Sequence, residues 1–164
     1  MTLMLVFSDT HGDLVVAEQA IARFPQAGTI LHLGDYARDA VRLAVRHPEL
    51  KVIGVAGNCD FDPDPERFPA ERLLEVEGKR LLLVHGNRHG VKSGYDKLIH
   101  HAGKQRADLT LFGHTHISAD FIKDGCHMLN PGSPSFPKGM GGPSFALVEI
   151  GHGLLETRLM AAED

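Results

Sequence analysis

At 164 residues the chain is long enough for one domain with a substantial core and too short for two independent ones, so a single domain over residues 1–164 is expected. Its 43% hydrophobic and 23% charged residues fit a soluble globular fold, and a formal net charge of -4 without any run of Lys and Arg gives no footprint for stable binding to long nucleic acid. Cys59 and Cys126 are too few and too isolated for a disulfide framework, and the apolar opening Leu3–Phe7 stops at Ser8, far short of a signal peptide or a membrane span; the expectation is a cytoplasmic protein with reduced thiols and no membrane contact.

The run from Leu3 to Ser8 predicts a strand buried on both faces, ending at Asp9-Thr10-His11-Gly12-Asp13. Leu14, Ala17, Ile21 and Phe24 then follow helical spacing, with Asp13 as N-cap and Pro25 as stop. Thr29–Leu33 predicts a second strand ending at Gly34-Asp35. Ala37, Val41, Ala44 and Val45 predict the inner face of a second helix that stops before Pro48. Lys51–Ala56 predicts a third strand, ending at Gly57-Asn58-Cys59-Asp60. Such alternation favours right-handed crossovers and a parallel sheet whose strand ends share one edge.

After a loop over Phe61–Ala70, Arg72–Val76 and Arg80–Val84 flank Glu77-Gly78-Lys79 as a hairpin. A helix around Tyr95, Leu98, Ile99 and Ala102 follows, then a strand Leu109–Phe112 ending at Gly113-His114-Thr115-His116. Strands are expected near Ala119–Ile122, His127–Leu129, Phe145–Ile150 and Leu154–Leu159. The fold expected is α/β: two packed sheets with helices outside, a mixed front and a mostly antiparallel back.

Eleven His residues exceed what such a chain needs, and imidazole is a favoured ligand for transition metals. Ligands in open α/β sheets bind beyond the carboxyl ends of the strands. The strand-end clusters should therefore bring seven side chains into one crevice: Asp9, His11, Asp35, Asn58, His85, His114 and His116. His114 and His116 would share a side if Gly113–His116 is extended. Oxygen and imidazole donors without thiolate suit Mn, Fe, Zn, Ni or Co, and seven ligands exceed one ion's share. A second ion, with one carboxylate bridging at the roughly 3.5–4 Å usual for two-metal sites, resolves the excess. Any one of these residues alone reads more simply as a turn, cap or hydrogen-bonded residue; the ordered set points to chemistry.

Asp9-x-His11, Gly34-Asp35, Gly57-Asn58, His85 and Gly113-His114-x-His116, in this order, closely resemble the calcineurin-like metallophosphoesterase superfamily. Gly57-Asn58-Cys59-Asp60 and Asn130-Pro131-Gly132-Ser133 resemble its small prokaryotic phosphodiesterase branch, the YfcE-like proteins. The resemblance implies a four-layer sandwich of two β-sheets flanked by α-helices. It implies that Asp9, His11 and His116 hold one metal, that Asn58, His85 and His114 hold the other, and that Asp35 bridges them. Asp35, Asn58 and His85 would be the catalytic core of the centre.

Two positions depart from the family pattern. Cys59 stands where many members carry a leaving-group-protonating His, and Asn87 stands where the small branch often has the second His of His-Gly-His. A thiol is a poor proton donor near neutral pH, which favours good leaving groups or another donor such as His89 or His32. The expected reaction is hydrolysis of a small phosphodiester by a hydroxide bridging two divalent ions, manganese foremost, with Ni, Fe, Zn or Co as alternatives. Asn87, Arg88 and Lys138 are candidate phosphate contacts, and the Gly- and Pro-rich stretch from Asn130 to Pro143 a candidate rim. The rival expectations are a phosphomonoesterase on the same fold and a noncatalytic metal-binding scaffold, as in the small retromer subunit. Self-association into a homo-oligomer is left open.

Overall fold

A computed structural model describes residues 1–162. Strands β1 (Thr2–Phe7), β2 (Thr29–His32) and β3 (Lys51–Gly54) alternate with helices α1 (Val15–Arg23) and α2 (Ala37–Arg46). β4 (Glu71–Val76), β5 (Lys79–Val84), a 3-10 turn (Asn87–His89), α3 (Asp96–Gln105), β6 (Leu109–Leu111), β7 (Ser118–Lys123), β8 (Cys126–Pro131), β9 (Ser144–Gly151) and β10 (Leu154–Ala161) follow. The strands form two five-stranded sheets, ordered β10-β9-β1-β2-β3 and β4-β5-β6-β8-β7.

Every predicted strand forms, and the reason for the continuous apolar runs is visible in their two-residue period. Met4 and Val6 of β1 face the core between the sheets, with Leu31, Leu81, Leu83, Leu111 and Val148. Leu5 and Phe7, pointing the other way, pack under α1 with Ala17, Ile21 and Phe145. β5 repeats the device, because Leu82 and Val84 meet Leu98, Ile99 and Ala102 of α3. Each sheet is thus covered on its outer face, which yields the layer order helix, sheet, sheet, helix.

Three expectations need correction. The second sheet is mixed rather than mostly antiparallel, since β5, β6 and β8 pair in parallel at its centre. The crossover between β5 and β6 is α3, and that between β6 and β8 carries β7, so the run of short strands after Phe112 hid the parallel pairing of β8 with β6. On α2 the buried residues are Ala37, Asp39, Ala40 and Leu43, while Val45 is 75% exposed, so the inner face is rotated from the apolar one first read. The rotation admits Asp39 to the interior because that carboxylate has partners there. Helix α1 begins at Val15 with Leu14 at its N-cap, one residue past the Asp13 expected there, although Asp13 still accepts the Val15 N–H at 2.9 Å.

The topology aligns the ends that matter. β1, β2 and β3 are parallel, as are β5 and β6, so the loops after Phe7, His32, Gly54, Val84 and Leu111 emerge at one edge. The His85 ring joins the two sheets there by donating from Nδ1 to the Leu33 carbonyl at 2.7 Å.

Candidate metal centre

Six of the seven expected ligands converge at this edge, in two groups that share one residue. Ligand atoms of Asp9, His11, Asp35 and His116 lie within 4.8 Å of one another, as do those of Asp35, His85 and His114. Asn58, the seventh, is exposed at the turn beside them, its amide nitrogen 3.5 Å from Cys59 Sγ. The next N–H, of Cys59, donates to Asp35 Oδ1 at 2.9 Å and ties that turn to the shared carboxylate.

The backbone here is held in an uncommon conformation. Asp9, His11, Asp35, His114 and His116 all have φ between 47° and 69°, the left-handed region that costs a non-glycine residue energy. The Gly113–His116 segment is therefore not extended. His114 and His116 instead turn into different groups, His114 beside His85 with ring centroids 5.0 Å apart and His116 beside His11 at 5.1 Å. Close approach explains two neighbouring glycines: a Cβ on Gly57 would strike Asp35 Oδ1, and one on Gly113 would strike Ser8 Oγ.

Residues outside the expected ligand set hold these loops in place. Asp60 accepts N–H groups of Asp35 at 3.0 Å, Ala37 at 2.5 Å and Gly57 at 2.7 Å, so one carboxylate pins two ligand loops. Buried Asp39 accepts the Thr10 hydroxyl at 2.7 Å and the Gly12 N–H at 2.8 Å, and pairs with Arg42 at 3.0 Å. His32 lies wholly buried, 3.0 Å from Thr10 Oγ1, and its Nδ1 accepts the Gly34 N–H. Burial lowers its pKa, consistent with a neutral ring, and it cannot reach a substrate as the proton donor first considered. Asn130 bonds the Gly113 carbonyl and Thr115, while Ser133 and Ser135 reach the Asp9 carbonyl. The stretch after Asn130 thus adjoins the site, with the Phe136 carbonyl accepting His116 Nδ1–H at 2.6 Å and the Phe136 ring edge-on to His11.

The electrostatics fit resident cations. His85 gives its Nδ1–H to Leu33, so the neutral ring turns the lone pair of Nε2 toward Asp35 Oδ1 at 3.3 Å and Asp9 Oδ1 at 3.8 Å. Asp9 Oδ1 and His85 Nε2 are both buried without a hydrogen-bond partner. Electron-rich atoms facing one another this way need a proton or a metal ion between them. Without metal, protons fill the role. Burial opposes charge on His85, but Asp35 and Asp9 overcome it and raise its pKa; His116 is raised chiefly by Asp9. Burial likewise opposes ionisation of Asp9 and Asp35, yet His116 beside the first and His85 beside the second hold both carboxyls below the usual range. His114 is pushed down to about 4 by burial and by His85, which keeps its ring neutral near pH 7. The oxygen and imidazole donors match divalent first-row metals.

Of the expected substrate contacts, Asn87 is half-buried and Arg88 exposed, on a cavity of about 170 Å³ that also includes His85 and His89. Lys138 is exposed, and its N–H donates to the His116 carbonyl at 2.9 Å. Cys59 and Cys126 are both free thiols. Among the described residues no helix is long and apolar enough to cross a membrane.

Carboxylates and imidazoles gathered at the strand ends of a mixed double sheet form a donor set for divalent metal ions. The chain belongs to the calcineurin-like phosphoesterase superfamily, whose domain matches residues 1–153. The probable metallophosphoesterase YsnB of Bacillus subtilis is 35% identical over 150 residues, covering 90% of this chain and 83% of that one. Phosphodiesterase YfcE of Escherichia coli K12 is 29% identical over 170 residues, covering 91% and 88%. Among solved structures, a predicted phosphoesterase of Streptococcus pneumoniae superposes with a TM-score of 0.82 at 25% identity, covering 99% of this chain and 90% of its own. Vps29 of Cryptosporidium parvum gives 0.75 at 21% identity over 97% and 96%, a likeness of fold alone. The protein is a phosphoesterase whose family employs divalent metal ions.

Proposed function

We propose that the protein is a phosphodiesterase with a two-metal centre, acting on small phosphodiesters in the cytoplasm as a single domain. Asp9, His11 and His116 would hold one ion, Asn58, His85 and His114 the other, with Asp35 bridging. The observation that carries this reading is the pair of ligand groups sharing Asp35, with Asp9 Oδ1 and His85 Nε2 buried and unpartnered between them. Manganese is the first candidate, before Ni, Fe, Zn or Co.

Two divalent ions held there would lower the pKa of a bound water and neutralise charge on the phosphoryl oxygens. The chain's own part is orientation. The Leu33 and Phe136 carbonyls fix the tautomers of His85 and His116, so that Nε2 of each is the atom presented to the site. Asp60, Asp39 and Asn130 hold the ligand loops, and strained backbone at five ligands is maintained by these contacts. Asn87, Arg88 and Lys138 are the proposed outer phosphate contacts.

The leaving group decides the substrate class. Burial and the neighbouring Asp35 push the Cys59 thiol up to about 11, so it is a feeble acid at neutral pH. Diesters with a weakly basic leaving group, such as an activated phenoxide, are therefore favoured. The test is to measure metal content, then hydrolysis of an activated aryl phosphodiester and the matching monoester with several divalent ions. Diester turnover with metal, lost in His85→Ala, is expected; preferential monoester turnover would reassign the substrate class, and no turnover with any ion would sink the proposal.

A further inference from the structure

Outside the centre just described, a second set of metal-type donors converges from three separate elements. Glu71 opens β4, His89 closes the 3-10 turn and His101 lies on α3. One ring nitrogen of each His and a carboxylate oxygen of Glu71 lie within 4.8 Å of one another. His101 Nε2 is 2.8 Å from Glu71 Oε2, and the two rings stack with centroids 5.0 Å apart and planes at 33°.

An ordinary surface pair accounts for His101 and Glu71 but not for His89. His89 Nδ1 is buried and has no hydrogen-bond partner, a condition that costs free energy unless something else meets it. Two imidazoles crowded at one carboxylate repel when protonated and cooperate when they share a cation.

We infer that Glu71, His89 and His101 form a separate mononuclear site for a divalent transition metal, zinc foremost. Two imidazoles, one carboxylate and one position left for water is a donor set suited to zinc. Small side-chain rotations would bring three donors now within 4.8 Å to coordination distance. The site's effect is to latch the 3-10 turn to β4 and α3. That turn carries Asn87 and Arg88, and Glu71 and His89 line the same cavity as His85. A bound ion there would stiffen one wall of the active-site entrance without touching the Asp35 cluster.

The experiment is an anomalous-difference map at the zinc edge from crystals of metal-free protein soaked in micromolar zinc, paired with zinc stoichiometry in solution. A peak between Glu71, His89 and His101 is expected, with one equivalent less bound in His101→Gln and in Glu71→Gln. Because Glu71 is exposed on β4 and His101 half-exposed on α3, both variants should fold with a wild-type far-ultraviolet spectrum. No peak there, a peak only at millimolar zinc, or unchanged stoichiometry in both variants would overturn the inference. The result is independent of the Asp35 cluster, whose peaks lie elsewhere in the same map.

Discussion

Replacing Asp35 with Asn isolates charge from shape at the residue both ligand groups share. Asp35 is 2% exposed, its Oδ1 accepts the Cys59 N–H at 2.9 Å and faces His85 Nε2 at 3.3 Å, and its Oδ2 is 3.7 Å from His11. An amide keeps the size, the acceptor for Cys59 and the backbone bond to Asp60. The negative charge and one of the two acceptor oxygens are lost. Losing one partner of a buried charge pair costs about 2–5 kcal/mol, which at about 1.4 kcal/mol per decade corresponds to roughly 30- to 4,000-fold weaker metal binding. Titrating chelated wild type and Asp35→Asn with manganese, alongside hydrolysis of an activated aryl phosphodiester, measures this. Fewer ions per chain and a rate lowered by at least the same factor are expected, with a far-ultraviolet spectrum unchanged. Two ions at near wild-type affinity and undiminished turnover would refute the reasoning.

Other outcomes follow from individual contacts. His116 has a raised pKa in the metal-free protein, so its contribution to stability is complete below its ordinary 6.5 and lost as pH rises through the raised value. Chelated His116→Gln should therefore fall further below wild type in melting temperature near pH 6 than near pH 9. By the same linkage, metal binding must expel protons from His85 and His116, so affinity should rise with pH across that range, as calorimetry in two buffers can follow. Asp60→Ala strands N–H groups on two ligand loops and should cost about 1.5–3 kcal/mol in urea unfolding, with weaker metal binding; Asp60→Asn should recover part of both. Cys59→Ala should leave turnover of the activated diester within a few-fold of wild type, whereas Cys59→His should speed substrates with poor leaving groups.

The sequence exposed the parts of this protein that repeat a local rule. Apolar runs bounded by Gly, Asp and His marked the strands, and the parallel order of β1, β2 and β3 made their ends a common edge. Six of the candidate ligands were legible because each sits at such an end. What stayed hidden depends on distant partners. Asp39 reads as a surface residue of α2 until Thr10, Gly12 and Arg42 are brought to it, and that burial is also why the inner face excludes Val45. Asp60 reads as a loop acid until its carboxylate meets three N–H groups on the neighbouring turns. The left-handed backbone at His114 and His116 is set by tertiary contacts, so a period-two argument could not divide the two imidazoles between groups. In the second sheet, parallel pairing of β6 with β8 skips over β7, and no local pattern records that crossover.

The most direct test of the central claim is an anomalous-difference map from crystals of the manganese-loaded protein, collected at the manganese edge. Two peaks are expected on either side of Asp35, one among Asp9, His11 and His116 and one beside His85 and His114. A single peak, or two peaks of which neither touches Asp35, would contradict that claim.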